Sequence, residues 1–282
     1  MFKILQISDL HFGPPFVPKV GEALLRAAPT LEPDVIVASG DFTQRAKREQ
    51  FEEARAFLER LPDVPLVVTP GNHDVALYRV AERLFNPYDL YREIIHPELD
   101  YVTQLDGAVI VSLNSVAPRQ AIVNGRIDSE QLDFCTQAFR DAPEDAVRIV
   151  VSHHHFAPAP DYEGGQVMPK AKRAMNRFLD LEVELILGGH LHRAYVGNSL
   201  DIYPGKHRER GIIIVQCGTS TSRRGRVRER EKNSFNVVWV DQRMIRVTHY
   251  MYFEEDDGFA PISRHMFPRH GHRFVEGTPI HQ

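Results

Sequence analysis

An α/β fold with its chemistry at strand ends is predicted by three features of the sequence. Short β-branched runs such as Val35–Ala38, Val64–Val68 and Val147–Ser152 have the length and composition of buried strands. Between several of them lie charged segments whose apolar residues recur at helical spacing. The runs end in loops carrying His, Asp or Asn, at the carboxyl ends where open α/β sheets gather their ligands.

Taken in order, Lys3–Ile7 alternates apolar and polar as a strand and opens into Ser8-Asp9-Leu10-His11. Asp9 and His11, two apart, can point to one side while Leu10 points away; a structural role for a lone Asp-x-His competes with a functional one. Pro14, Pro15 and Pro18 make a rigid loop before an amphipathic helix around Val20–Ala28. Val35–Ala38 ends in Ser39-Gly40-Asp41, where glycine permits close backbone approach; Asp41 either enters a site or caps the helix that follows, about Lys47–Arg60. The run Val64–Val68 leads into Pro70-Gly71-Asn72-His73-Asp74, the densest cluster of donors in the chain. It combines an amide oxygen, an imidazole and a carboxylate in three consecutive residues.

Leu77–Ile95 reads as two short helices broken at Asn86-Pro87. Tyr101–Leu105 and Ala108–Leu113 form a hairpin across Asp106-Gly107, and Ser129 is placed to cap a helix over Ser129–Arg140. Val147–Ser152 runs into His153-His154-His155, of which either His153 and His155 or His154 alone can face one point, since side chains alternate along extended chain. A Pro- and Gly-rich surface loop, 158–165, precedes a helix near Lys170–Leu181. Val183–Leu187 then ends in Gly188-Gly189-His190-Leu191-His192, a second pair of donors two apart. Ile212–Val215, Phe235–Val240 and Ile245–Tyr252 suit an antiparallel second sheet, with the charge run Arg223–Lys232 as a solvated or phosphate-facing loop. His265, His270, His272 and His281 lack glycine-framed strand ends and are read as tail residues rather than ligands.

Composition narrows the classes. The chain has 282 residues, 43% hydrophobic and 26% charged, with a net charge of −4. That profile is an ordinary soluble protein's and speaks against a nucleic-acid coat or nuclease, which needs more cations. No run reaches the roughly 18 apolar residues of a membrane helix, and Met1–Ser8 reads as a strand rather than a leader, so a cytoplasmic location is expected. Cys135 and Cys217 sit in apolar patterns as buried thiols.

Collected, the strand ends supply Asp9, His11, Asp41, Asn72, His153 or a neighbour, His190 and His192. This exceeds one tetrahedral site, so two metals about 3.5–4 Å apart are the natural count, with Asp41 as the candidate bridge.

The ordered set Asp9-x-His11, Gly40-Asp41, Gly71-Asn72-His73-Asp74, His153 and Gly189-His190-x-His192 resembles the calcineurin-like metallophosphoesterase superfamily over about residues 1 to 250. The resemblance implies a four-layer αββα sandwich, two mixed β-sheets flanked by helices. It implies that Asp9, His11, Asp41 and His192 hold one metal, and Asp41, Asn72, His153 and His190 the other. His73 matches the histidine that contacts substrate, Asp74 its orienting partner, and Asn72 a stabiliser of developing charge. Asp74 and His153-His154 are most similar to the bacterial cyclic-nucleotide phosphodiesterase branch, although His155-Phe156 replaces the usual prolines. Gln44 stands where purple acid phosphatases place a tyrosine ligand, so no iron–tyrosinate colour is expected.

The implied function is hydrolysis of a small phosphodiester, cyclic AMP favoured, by hydroxide formed between two divalent ions (Mn, Fe, Zn or Co). A pyrophosphatase acting on a nucleotide-linked lipid, or a phosphomonoesterase, is the alternative enzyme; a binding scaffold of the same fold would lack ligand residues, and none is missing. Expected partners are the small phosphodiester, with no stable nucleic acid and no transmembrane segment, and a homodimer is compatible with the sequence. Residues 1–253 are assigned to the phosphoesterase domain and 254–282 to a C-terminal tail, packed on it or flexible.

Overall fold

A computed structural model describes residues 1–119, 123–158, 167–202, 211–225, 232–269 and 271–272. Most of the loop read at 158–165, most of the charge run, and His270 and His281 lie outside these residues.

The chain begins β1 (Phe2–Ile7), α1 (Pro18–Thr30), β2 (Val35–Ala38), α2 (Arg48–Leu58), β3 (Leu66–Val68), with β1, β2 and β3 paired in parallel. Two short helices follow, α3 (Val80–Phe85) and α4 (Asp89–Ile94), broken around Pro87 as expected. Next come β4 (Tyr101–Leu105), β5 (Ala108–Leu113), α5 (Ser129–Arg140), β6 (Val147–Ser152), α6 (Ala171–Asp180) and β7 (Leu185–Gly188). The chain continues with β8 (Tyr195–Asn198), β9 (Ile213–Gln216), β10 (Ser234–Val240), β11 (Met244–Phe253) and β12 (Gly258–Pro268).

These strands make two mixed six-stranded sheets, ordered β12-β11-β10-β1-β2-β3 and β4-β5-β6-β7-β9-β8. In the second sheet, alternate residues serve two cores. Ile149, Val151, Leu185, Leu187, Ile213 and Val215 join the first sheet's core, while Val150, Ile186 and Ile214 pack with α5 and α6 residues such as Leu132, Phe139 and Phe178. The period-2 pleat thus divides one strand between two apolar layers, and the layer order is helix, sheet, sheet, helix. Phe51, Ala54 and Phe57 of α2 and Leu24 of α1 belong to the first sheet's core.

Polar side chains tie the sheets together. Gln6 of β1, fully buried, donates through Nε2 to Gly188 O at 3.0 Å and Val215 O at 3.3 Å. Ser112 Oγ and Tyr101 Oη donate to Val68 O at 2.7 and 3.0 Å, and Thr69 Oγ1 donates to Leu113 O at 2.8 Å. The carboxyl ends of β1 and β3 are thereby held against those of β7, β9 and β5.

Four sequence expectations change. The C-terminal strands do not form a sheet of their own. β10 pairs antiparallel with β1 and carries β11 and β12 outward, whereas Ile212–Val215 contributes β9, parallel to β7 in the other sheet. Both placements bury a short apolar run, β9 throughout and β10 almost throughout, so periodicity alone could not choose between them. The cap of α5 is Asp128, not Ser129: Asp128 Oδ1 accepts the Gln131 N–H at 3.0 Å in a capping box. β8 was not expected. Glu254 onward opens with a turn and then β12, whose two prolines suit it to the edge it occupies and obscure its strand pattern. Among the described residues no helix is long and apolar enough to cross a membrane.

Candidate metal centre

Backbone conformation at the strand ends is unusual. Asp9 (φ 54°), His11 (52°), Asp41 (56°), His190 (74°) and His192 (52°) all lie in the left-handed region that β-carbons disfavour. Each such residue costs on the order of 1 kcal/mol or more and persists only where its surroundings over-determine it. Here the loop after β1 is laced to the loop after β2, with Asp9 N donating to Gly40 O (3.0 Å), His11 N to Asp41 O (2.9 Å) and Phe12 N to Phe42 O (2.8 Å). Gly40 (φ +90°) has no room for a side chain, since an added Cβ would sit 2.6 Å from His153 Nδ1. A Cβ on Gly71 would collide with the Asp41 carboxylate and backbone N.

Each central carboxylate has one oxygen occupied and one bare. Asp9 Oδ2 accepts from Ser8 Oγ (2.6 Å) and His190 N (3.0 Å), and Asp41 Oδ1 accepts from His73 N (2.8 Å). Asp9 Oδ1 and Asp41 Oδ2 are buried and accept no hydrogen bond among the described residues. Around Asp9 Oδ1 stand His192 Nε2 at 3.1 Å and His11 Nε2 at 3.7 Å; His11 Nε2 is also 3.6 Å from Asp41 Oδ2 and 3.1 Å from His192 Nε2. Asp9, His11, Asp41 and His192 thus present one donor atom each, all within 4.8 Å of one another. On the other side of Asp41 Oδ2 lies His153 Nε2 at 3.5 Å, with Asn72 Oδ1 3.3 Å from His153 Nε2 and 3.0 Å from His190 Nδ1. All seven residues read from the sequence as ligands come together, and Asp41 Oδ2 belongs to both groups.

Buried anionic oxygens with no proton donor, ringed by imidazole nitrogens, are the donor set a divalent cation satisfies. The rings are aimed by backbone carbonyls, as metal-binding imidazoles commonly are. His153 Nδ1 pairs with Ser39 O at 2.8 Å and His192 Nδ1 with Arg224 O at 2.7 Å, which leaves each Nε2 for the centre. Burial works to raise the Asp9 and Asp41 carboxyls, but His192 beside Asp9 and His153 beside Asp41 outweigh it and hold both well below the usual range. Burial lowers His11 to about 4 and, with His154, His153 and His155 nearby, holds His190 well down; both are neutral donors near neutral pH. Against its own burial, His153 is raised to about 9 by Asp41.

Asp74 does not orient His73. Its carboxylate accepts the backbone N–H of Thr43 (2.8 Å), Gly71 (2.9 Å) and Phe42 (3.2 Å) and the Thr43 hydroxyl (3.1 Å), so it locks the loop after β3 to the loop after β2. The partner of the His73 ring is the Gln44 carbonyl, 3.0 Å from Nδ1. His154 is buried against Ser115, its Nδ1 2.8 Å from Ser115 Oγ, and packs on the His190 ring, while His155 stacks on His190 with centroids 5.5 Å apart. Both support His190 from behind.

Asp41, Asn72, His73, His190 and His192 open into a cavity of about 600 Å³. Its outer wall holds Arg45, Lys47, Arg79, Leu77, Tyr78 and Val123, none of which was read as functional from the sequence. The aiming carbonyls of Ser39, Gln44 and Arg224 were also missed, and no sequence signal could have found them, because every residue carries a carbonyl.

Residues 2–194 match the family model described as calcineurin-like phosphoesterase. A Rhodococcus erythropolis protein described as "Probable cyclic nucleotide phosphodiesterase" is 27% identical over 57% of this chain and 52% of its own length. A protein of the same description from Synechococcus is 27% identical over 72% of this chain and 78% of its own. The chain therefore spans about half the length of the first relative and over three quarters of the second. A purple acid phosphatase from yellow lupin shares the fold at a TM-score of 0.70 and 13% identity, over 95% of this chain and 54% of that one. With more than half of its residues matched by the family model, this chain belongs to the calcineurin-like phosphoesterase family.

Proposed function

We propose that this chain is a metal-dependent phosphoester hydrolase acting on a small phosphodiester, with cyclic nucleotides such as cyclic AMP as the first class. The observation that carries the reading is Asp41 Oδ2, a bare buried carboxylate oxygen standing between two sets of donors. Asp9, His11, Asp41 and His192 would hold one divalent ion, and Asp41, Asn72, His153 and His190 a second. Such a pair supplies Lewis acidity toward phosphoryl oxygens and lowers the pKa of water. Cyclic nucleotides are favoured by the descriptions of the relatives and by a cavity with room for a nucleoside monophosphate.

The chain's own residues supply orientation and proton handling. Asn72 is fixed through its Oδ1 against His153 and His190, so its amide nitrogen is left for a substrate oxygen. With Nδ1 paired to the Gln44 carbonyl, His73 keeps Nε2 for the cavity it lines. Burial lowers the His73 pKa, so a proton at Nε2 is readily given up to a departing oxygen. Gln44 contributes only its carbonyl to His73 while its side chain accepts from Arg224 at 2.9 Å.

The test is turnover by protein reconstituted with each of Mn, Fe, Zn and Co, against cyclic AMP, bis(p-nitrophenyl) phosphate and the monoester p-nitrophenyl phosphate. Cleavage of the diesters is expected. Cleavage of the monoester alone would replace the diesterase with a phosphomonoesterase, and metal-loaded protein inert toward all three would end the hydrolase reading.

A further inference from the structure

Exposed apolar side chains stand at the mouth of the cavity and along the segment that follows it. Among the described residues seven large hydrophobic side chains stand exposed, and five of them, Leu77, Tyr78, Val80, Phe85 and Val123, fall in α3, the segment leading into it, or the opposite lip. Leu77, Tyr78 and Val123 line the same cavity as Asn72 and His73. Apolar surface left in water at the rim of a polar site marks a place where something apolar is received.

Tyr78 is the aromatic member of this group, 71% exposed. Its ring is not loose, because the Arg45 guanidinium lies over it, 4.8 Å from the centroid. The neighbouring backbone is anchored: Arg79 donates to the carbonyls of Arg45 (3.2 Å) and Ala46 (2.7 Å) and pairs with Glu82. The loop bearing Arg45 and the segment bearing Tyr78 are therefore tied to one another, a few residues from Asp41 on one side and from His73 on the other. A tyrosine ring stacked with a guanidinium offers flat, polarisable surface, which takes up planar aromatic groups and has little to give an aliphatic alcohol.

We propose that Tyr78, backed by Arg45, is the stacking platform for a planar aromatic group on the organic half of the substrate, and that it sets a preference for nucleotides over aliphatic phosphate esters. The inference rests on the phosphoester reading above and adds a specificity-determining residue to it. Apolar Leu77 and Val123 complete the slot beside the platform.

The experiment is calorimetric titration of metal-loaded protein with AMP, glycerol 3-phosphate and inorganic phosphate, for wild type, Tyr78→Ala and Tyr78→Phe. Wild type is expected to bind AMP more tightly than the other two ligands. Tyr78→Ala should weaken AMP by about tenfold and leave glycerol 3-phosphate and inorganic phosphate within about twofold, since stacking is lost but phosphate contacts are kept. Tyr78→Phe, which keeps the ring, should bind AMP as wild type does. Unchanged AMP affinity in Tyr78→Ala, equal weakening of all three ligands, or a wild type with no preference for AMP would each overturn the platform. Failure of wild type to bind inorganic phosphate at all would instead remove the phosphoester reading beneath it.

Discussion

The two oxygens of Asp41 stand in different surroundings. Oδ1 accepts the His73 backbone N–H at 2.8 Å, while Oδ2 faces His11 and His153 and accepts no hydrogen bond among the described residues. Asp41→Asn keeps the shape and removes the charge common to both donor groups. Metal content measured on the purified variant should fall from about two ions per chain to less than one, and wild-type content would refute the bridge. His73 is tested through the leaving group. His73→Gln should slow release of a poor leaving group, such as the ribose oxygen of cyclic AMP, by about 100-fold, and p-nitrophenolate release far less. Equal losses would show that His73 transfers no proton to the leaving oxygen. Asp74 is structural on the observed geometry. Asp74→Ala orphans the buried N–H groups of Phe42, Thr43 and Gly71, and should lower urea-denaturation stability by about 3 kcal/mol. At this scale the sequence was informative where the converging donors are side chains, as at Asp9, His11 and His190. It was silent where chemistry resides in carbonyls, and it misjudged Asp74, because adjacency in sequence does not put two side chains on one another.

Among the elements, the β10–β11–β12 extension shows what patterning cannot convey. β10 and β11 are runs rich in β-branched and aromatic residues, so they could be recognised as strands but not assigned to a sheet. β12, broken by Pro261 and largely exposed, gave too little alternation to be recognised at all. The same extension carries a titration. His249 of β11 pairs its Nδ1 with Asn236 Oδ1 of β10 at 2.8 Å, and burial, with His265 of β12 nearby, lowers it to about 4. A folded-state pKa below the unfolded one means the unfolded chain binds the extra proton, so this contribution is intact above about 6.5 and is lost as pH falls toward 4. The loss is on the order of 2 kcal/mol after allowance for partial exposure. Stability measured against pH should therefore fall more steeply between these values in wild type than in His249→Gln. Parallel curves for the two proteins would show that His249 takes no part.

At the scale of the whole molecule, the candidate centre exists only where the two sheets meet. Asp9, His11, Asp41 and Asn72 come from the ends of β1, β2 and β3, and His153, His190 and His192 from the ends of β6 and β7. The order of these donors along the chain was legible, because each stands after a recognisable strand. Their convergence was not, since it depends on contacts such as Gln6 to Gly188, 182 positions apart, that no local pattern encodes. Convergence couples any metal at this centre to the fold. An unfolded chain scatters the donors, so cations held by this centre would bind the native state alone and stabilise it by mass action, by about 2.7 kcal/mol per site at a hundredfold excess over the dissociation constant. For two sites in a chain of this size that is a rise in Tm of about 10 °C. Calorimetric scans of chelated and metal-loaded protein should show that rise. In Asp41→Asn it should shrink by more than half, since the shared oxygen serves both sites. A chelated protein that melts with the loaded one would mean that the bare oxygens of Asp9 and Asp41 hold no cation, and that the sheets dock without one.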